Sequence, residues 1–466
     1  MDFISINEEN ISNKKLKLLF LFCLIATIPV FLVITSYKHI FVVVLFGLFP
    51  FILLSAFNFR ILLSIFVASF FVNFLLAEFK ITVLLVPLIF VSFLITQNKF
   101  KIQEFKNPLT YPIIFYIITI IPSYFNCTNI PGSLLISLNF VAFLIIIYFI
   151  PVYLKGYNSI AYLLKIYLIM ALLNALFVDF ISLKNNERFF GFAGVVYVDY
   201  VNIAILISLI FLLFHKRSYK IVQLGLLITF LLASILMQTR NAWIALALTL
   251  FVFILFILWK YKKFGLNRIK AGFLILAVII ILAGSAYFVK SMSSGVSKRV
   301  TELTVDQKQS SGDMPSNSIV TRLLIWDTAL NGFKAHPVFG IGFYSFPLES
   351  KYYYTIPKFL YDQYVKKLTP HVGYLAVVTE TGSVGLAGFL IFIFFTIKMA
   401  FDSFILSKTN EEIVYSSIIL WCLVYIAFSL VMTDAWLWGS GIMVWGMFLS
   451  FGVFNFKQLK SKYFQS

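Results

Sequence analysis

Apolar runs of about 17 to 20 residues recur along this chain, the length that crosses roughly 30 Å of hydrocarbon as an α-helix. That recurrence limits the fold more than any other feature, because backbone N–H and C=O groups in lipid must be bonded within their own segment. Composition agrees: 61% of the 466 residues are hydrophobic, only 12% are charged, and mean hydropathy is +0.96. A water-soluble fold has no means of burying that much apolar surface. No alternating pattern of about ten residues suggests a membrane β-barrel. The chain therefore reads as an all-α polytopic membrane protein with about 14 transmembrane helices, within a range of roughly 12 to 14. The expected spans are 16–35, 39–57, 60–77, 80–96, 110–125, 134–152, 159–178, 198–214, 219–236, 240–259, 269–288, 373–397, 413–432 and 436–454.

Charge sets the orientation. The formal net charge of +18 has no soluble basic domain to carry it, so it does not indicate nucleic acid as a partner. Instead the cations cluster between spans, as in Lys14-Lys15, Lys216-Arg217 and Lys260 to Arg268. With both termini in the cytoplasm, these clusters fall inside, while the short outer turns hold only Lys38, Lys80, Lys184, Arg188 and Arg240. The run Leu18 to Thr35 after Lys17 lacks a small-residue cleavage site and reads as an uncleaved first span. Cys23, Cys127 and Cys422 imply no disulfide framework.

Three segments follow from this topology: a transmembrane bundle over 1–288 with about 11 spans, an outer loop over 289–372 with amphipathic helices, and a closing set of about 3 spans over 373–466. Within the loop, Ile319, Leu323, Trp326, Leu330 and Phe333 recur at helical spacing, which predicts an amphipathic helix lying on the membrane-embedded body. His336-Pro337 and Gly340-Ile341-Gly342 end it. The tyrosines from Tyr352 to Tyr364 read as an interface belt.

Four outer-face features carry potential chemistry: Arg188, Arg240, Arg322 and His371. Each lies where the positive-inside rule asks for no cation, and the turn holding Arg240 is short enough to keep its guanidinium near the headgroup plane. Guanidinium forks bind phosphate oxygens bidentately and stabilise negative charge as it develops. An imidazole with an unperturbed pKa of about 6.5 suits a general base at neutral pH. Such a set needs no metal or cofactor. A headgroup contact is the plain alternative for each arginine, and close helix packing is the plain alternative for Gly382 and Gly385. Glu380, inside an expected span, should be paired or face a cavity, and Asp434 is placed to orient His371 or an arginine unless it is an ordinary exposed turn residue.

After His371-Val372 come nine residues and then Gly382-Ser383-Val384-Gly385. This spacing resembles the histidine signature of the O-antigen ligases and related surface-polysaccharide polymerases, with Val372 where a polar residue is usual. Three further blocks match in order: Arg188-Phe189-x-Gly191, Thr239-Arg240, and Arg322-x-x-x-Trp326 followed by Pro337-x-x-Gly340-x-Gly342. The resemblance implies a multi-pass protein of the bacterial inner (cytoplasmic) membrane whose large loop is periplasmic, acting in lipopolysaccharide biosynthesis. It implies a metal-independent, inverting glycosyltransferase that moves a glycan from undecaprenyl diphosphate to a lipid A-core sugar. His371 matches the base, Arg240 and Arg322 the diphosphate-binding arginines, and Arg188 a third, with Glu380 and Asp434 in support. A repeat-unit polymerase with a glycan acceptor is the alternative, and a polysaccharide or lipid transporter is a third reading.

The orientation is open to direct test. Single cysteines near residues 240 and 310 should react with an impermeant reagent in intact cells, while those near 103 and 265 stay protected; labelling at 265 would reverse the assignment.

Overall fold

The structure is a computed structural model that describes residues 58–71, 75–76, 79–96, 105–185, 189, 197–214, 217–237, 239–260, 263, 318–437 and 439–464. The expected spans 16–35, 39–57 and 269–288 lie outside these residues. The chain begins with α1 (Phe59–Ser69), a two-residue antiparallel hairpin of β1 (Leu75–Leu76) and β2 (Phe79–Lys80), α2 (Ile81–Thr96) and α3 (Thr110–Phe125). Five long helices follow: α4 (Ile130–Tyr153), α5 (Tyr157–Asn185), α6 (Tyr197–Phe214), α7 (Arg217–Leu236) and α8 (Arg240–Lys260). The chain then carries α9 (Ser318–Ala335), α10 (Phe346–Glu349) and α11 (Lys358–Tyr364), none of them among the candidate membrane spans. The chain closes with α12 (Gly373–Leu406), α13 (Asn410–Ser429) and α14 (Gly439–Phe464).

Among the described residues, eight helices are long and apolar enough to cross a membrane: α4 to α8 and α12 to α14. The chain is a multi-pass membrane protein. Its centre is α6, apolar on all sides and buried continuously from Tyr197 to Phe211. Polar residues in that centre satisfy one another. The Asp199 carboxylate accepts from Tyr425 Oη at 2.6 Å and Ser429 Oγ at 2.9 Å, while Asn202 donates to Ala242 O and accepts from Ser234 Oγ, both at 3.0 Å. These bonds fasten α6 to α7, α8 and α13 where a bare polar group in lipid would be costly.

The helix that shapes the end of the bundle beside α9 is α12. Its 34 residues are interrupted at Gly382, which takes φ 69° and ψ −171°. A break inside a span frees backbone groups, and here the chain before α10 takes them up as a short ladder. Ile341 N–H donates to Thr379 O at 3.0 Å and Gly342 N–H to Glu380 O at 3.1 Å; in return Ser383 N–H donates to Pro337 O at 2.9 Å and Val384 N–H to Val338 O at 3.3 Å. Both crossing points need glycine. Gly340 and Gly382 have left-handed φ, and a Cβ on Gly382 would sit 2.2 Å from Val338 O. Gly382 therefore serves the approach of a loop backbone and not the packing of a second helix; Gly385 faces the side chain of Thr381 within its own helix.

The far side of the same loop is fastened to the turn between α3 and α4. Asn126 Nδ2 donates to Gly340 O at 3.1 Å, Asn129 Nδ2 to Tyr344 O at 3.0 Å, and Ser133 Oγ to Phe343 O. Helix α9 forms where the hydrophobic spacing predicts it, but the face packed on α12 is Ile325, Thr328, Ala329 and Gly332. Leu323 and Leu330 of the expected stripe are 53% and 44% exposed. Most of the tyrosine cluster builds a second small core instead of a belt: Tyr361 and Tyr364 are buried with Ile325, Ile341, Phe346 and Val365, and Tyr354 stacks on Tyr361.

Val372 is the N-cap of α12, with extended φ −136° and ψ 120° and no side-chain capping bond. A hydroxyl there would accept from an orphan N–H of the first turn. Val372→Ser should therefore raise thermal stability in detergent by about 0.5–2 kcal/mol; an unchanged or lowered midpoint would show that this end is already satisfied.

Candidate active site

The turn Leu430–Asp434, at the end of α13, is the point on which three other elements converge. Gly373 N–H, at the first residue of α12, lies 2.8 Å from Leu430 O and 3.2 Å from Thr433 O. A Cβ on Gly373 would collide with the Leu430 side chain at 2.5 Å, so the approach depends on glycine. Asn241 Nδ2, in the first turn of α8, donates to Met432 O at 2.9 Å. Trp326 Nε1 of α9 donates to Pro370 O at 3.2 Å, which joins the outer helix to the segment entering α12.

His371 sits at this junction in a left-handed backbone conformation, φ 56°. Such a conformation is uncommon for a non-glycine residue and persists only where its surroundings impose it. Here Pro370 is held by Trp326 and Gly373 by the α13 turn. The Nδ1 edge of the ring faces Thr369 Oγ1 at 3.3 Å and Asp434 Oδ1 at 3.9 Å, the second being an ion-pair separation too long for a hydrogen bond. Nε2 has no hydrogen-bond partner among the described residues. The side chain is 41% exposed, open to a reactant.

Asp434 is far from an exposed turn residue. It is buried to 7% exposure, and its Oδ2 is a buried oxygen without a hydrogen-bond partner among the described residues. Burial pushes the carboxyl upward, but His371 and Thr369 beside it outweigh burial and hold it below the usual carboxylate value. An ionised carboxylate therefore faces Nδ1, which favours the tautomer with the proton on that nitrogen and leaves the Nε2 lone pair outward.

Arg322 lies on α9 one helical turn before Trp326. Partial burial lowers its pKa and the Asp434 charge opposes that, yet a guanidinium stays protonated in any such setting. It makes no direct ion pair among the described residues, so its donors are open to an anion. Arg240 is the first residue of α8, next to Asn241, so its backbone stands beside the same turn. Arg188 lies outside the described residues. Glu380 is not part of the cluster: it is 3% exposed, beyond His371 along α12, and its Oε1 accepts Phe346 N–H at 3.4 Å.

Residues 224–390 match the O-antigen ligase family. That stretch is similar to the O-antigen ligase family. No curated protein matches the chain. The matched stretch contains Arg240, Arg322, His371 and the glycine pair at the helix break, and it supports a function of the O-antigen ligase or polymerase type. Asp434 and the rest of its turn lie beyond the matched residues. Sequence reasoning missed Thr369, Asn241 and Gly373 as positioning residues, although each is within two residues of a cation it singled out.

Replacing Asp434 by Asn keeps the shape and removes the charge. The Coulomb attraction between the carboxylate and the imidazolium at this separation is worth about 1–4 kcal/mol, so turnover should fall about 5- to 1,000-fold. Thermal stability and activity measured together on the purified variant check this: a parent-like rate would mean that the carboxylate does not act on His371.

Proposed function

We propose that the chain transfers a glycan from undecaprenyl diphosphate to a lipid A-core sugar at the periplasmic face of the bacterial inner membrane, as an O-antigen ligase. The observation that carries this reading is the half-exposed His371 with buried Asp434 at its back, and Arg322, without a direct ion pair among the described residues, within the electrostatic reach of the same carboxylate. In the reaction, His371 Nε2 accepts the proton of the acceptor hydroxyl as its oxygen attacks the anomeric carbon from the face opposite the diphosphate. The glycosidic C–O bond breaks, its electron pair passes to the departing phosphate oxygen, and the anomeric centre inverts. Arg322 and Arg240 bind the diphosphate and take up the charge that develops on it, with Arg188 as a third contact. Asp434 holds the ring and stabilises the imidazolium that forms. Glu380, outside this cluster, supports the site only indirectly, by holding Phe346 N–H and with it the loop at the helix break. The residues proposed for these steps need no metal.

Val372 stands where the family's histidine signature usually has a polar residue, which leaves a second reading of the same site: a polymerase would use the end of another lipid-linked repeat unit as acceptor through the same steps. A deletion strain separates the two: long lipid-linked polymer accumulates without a ligase, single repeat units without a polymerase. Transfer and lipid translocation are separated by assaying both in proteoliposomes.

A general base contributes about 100- to 10,000-fold, so His371→Ala should lower turnover within that range while donor binding persists. His371→Gln should not restore it, because an amide cannot take the proton. Arg240→Lys retains charge but loses the bidentate fork and should raise the donor KM sharply. If purified His371→Ala transfers glycan within a few-fold of the parent, the base lies elsewhere.

A further inference from the structure

The start of α6 is joined to both sides of the turn that carries Asp434 and to the start of α8. Towards α13, Asp199 Oδ1 accepts from Tyr425 Oη at 2.6 Å and from Ser429 Oγ at 2.9 Å. Towards α14, Tyr200 Oη donates to Ser440 Oγ at 2.7 Å. Towards α8, one amide spans the gap: Asn202 Nδ2 donates to Tyr425 Oη at 2.9 Å and to Ala242 O at 3.0 Å. The Tyr425 hydroxyl therefore donates to Asp199 and accepts from Asn202, which closes the two arms into a single chain of bonds from α8 to α13. Asn202, Tyr425 and Ser429 are fully buried and Asp199 is 6% exposed, so these side chains do not touch a substrate.

These bonds lie directly beneath the His371 cluster. Ser429 O accepts the N–H groups of Met432 and Thr433, both at 2.8 Å, which shapes the turn. Met432 O then accepts from Asn241, next to Arg240, and Leu430 O accepts from Gly373, two residues after His371. The spacing between the first residue of α8 and His371 is thus fixed in two layers, Asn241 at the rim and Asn202 with Tyr425 inside the body. The inner layer holds one arrangement, because a buried polar network is costly to leave partly satisfied. Spacing of this kind governs rate, since displacing reacting groups by about 1 Å costs on the order of 100-fold. Asp199, Tyr200 and Asn202 precede the matched stretch and Tyr425 and Ser429 follow it, so the family match assigns them no role.

Resting on the glycan-transfer reading above, we infer that Asp199, Asn202 and Tyr425 are positioning residues that hold the diphosphate-binding end of α8 at a fixed distance from the His371–Asp434 pair. Their effect falls on the chemical step. Donor affinity follows from the arginines themselves, whereas attack opposite the departing phosphate needs the base and the diphosphate set against each other.

Tyr425→Phe removes the bridging hydroxyl and keeps the ring that meets Trp436 edge-on. Its control is Tyr197→Phe, an equally buried tyrosine of α6 whose hydroxyl donates to Ala171 O of α5 at 2.7 Å and not to the turn or to α8. In purified full-length protein both changes should lower the thermal midpoint. Only Tyr425→Phe should lower kcat, about 10- to 100-fold, with the donor KM held within about twofold. Spin labels at Ile244 of α8 and Val431 of the turn, 45% and 44% exposed, read the spacing itself once Cys23, Cys127 and Cys422 are replaced by alanine. The distance between them should be narrowly distributed in the parent, broadened or shifted in Tyr425→Phe, and parent-like in Tyr197→Phe. An unchanged kcat in Tyr425→Phe, an equal loss in Tyr197→Phe, or a lowered kcat with the parent distance overturns the inference. A broadened distance in a protein that transfers no glycan would sink the transfer reading and uphold the spacing role. Glycan transfer by the parent, with kcat and distance both unmoved in Tyr425→Phe, would do the reverse.

Discussion

The exchange of backbone hydrogen bonds between the broken helix α12 and the chain from Pro337 to Gly342 is the constraint on which the rest of the His371 end of the bundle depends. A break in a membrane helix is tolerated only where the freed N–H and C=O groups find partners. Thr379, Glu380, Ser383 and Val384 find theirs in the incoming loop, and Glu380 adds its carboxylate to Phe346 N–H. The loop in turn is pinned to the α3–α4 turn by Asn126, Asn129 and Ser133. One segment thus locks two membrane hairpins together and fixes where α9, and with it Arg322, stands.

Rigidity of this kind matters because the proposed chemistry needs unlike groups held close without neutralising each other. Asp434 is buried and ionised, His371 is half-exposed, and Arg322 is partly buried without a direct partner among the described residues. A direct bidentate Arg322–Asp434 pair would take two of the guanidinium's N–H donors and neutralise its charge before any phosphate arrived. Separate anchors prevent that collapse: Trp326 holds α9 to Pro370, Gly373 holds α12 to the α13 turn, and Asn241 holds α8 to the same turn. Beneath them, the Asp199–Tyr425–Ser429 bonds steady the last turn of α13.

Much of this was legible in the residues. Apolar runs placed the starts of α4 to α8 and α12 to α14 within a few residues of where they lie, because hydrocarbon thickness sets a minimum helix length; α5, α12 and α14 run on to Asn185, Leu406 and Phe464, well past the expected ends at 178, 397 and 454. Histidine and arginine spacing singled out His371, Arg240 and Arg322, because side-chain chemistry is written one residue at a time. The face that α9 buries, the burial of Asp434 and the role of Gly382 were not legible. Each depends on which segment arrives from elsewhere in the chain: Ile325 and not Leu323 meets α12, His371 rather than water meets Asp434, and the backbone of Val338 meets Gly382. The sequence by itself determined the membrane class, the span positions and the inventory of reactive groups. The tertiary structure alone decided which of those groups meet, since contacts between residues far apart in the chain are set by packing and backbone hydrogen bonding, which local periodicity does not encode.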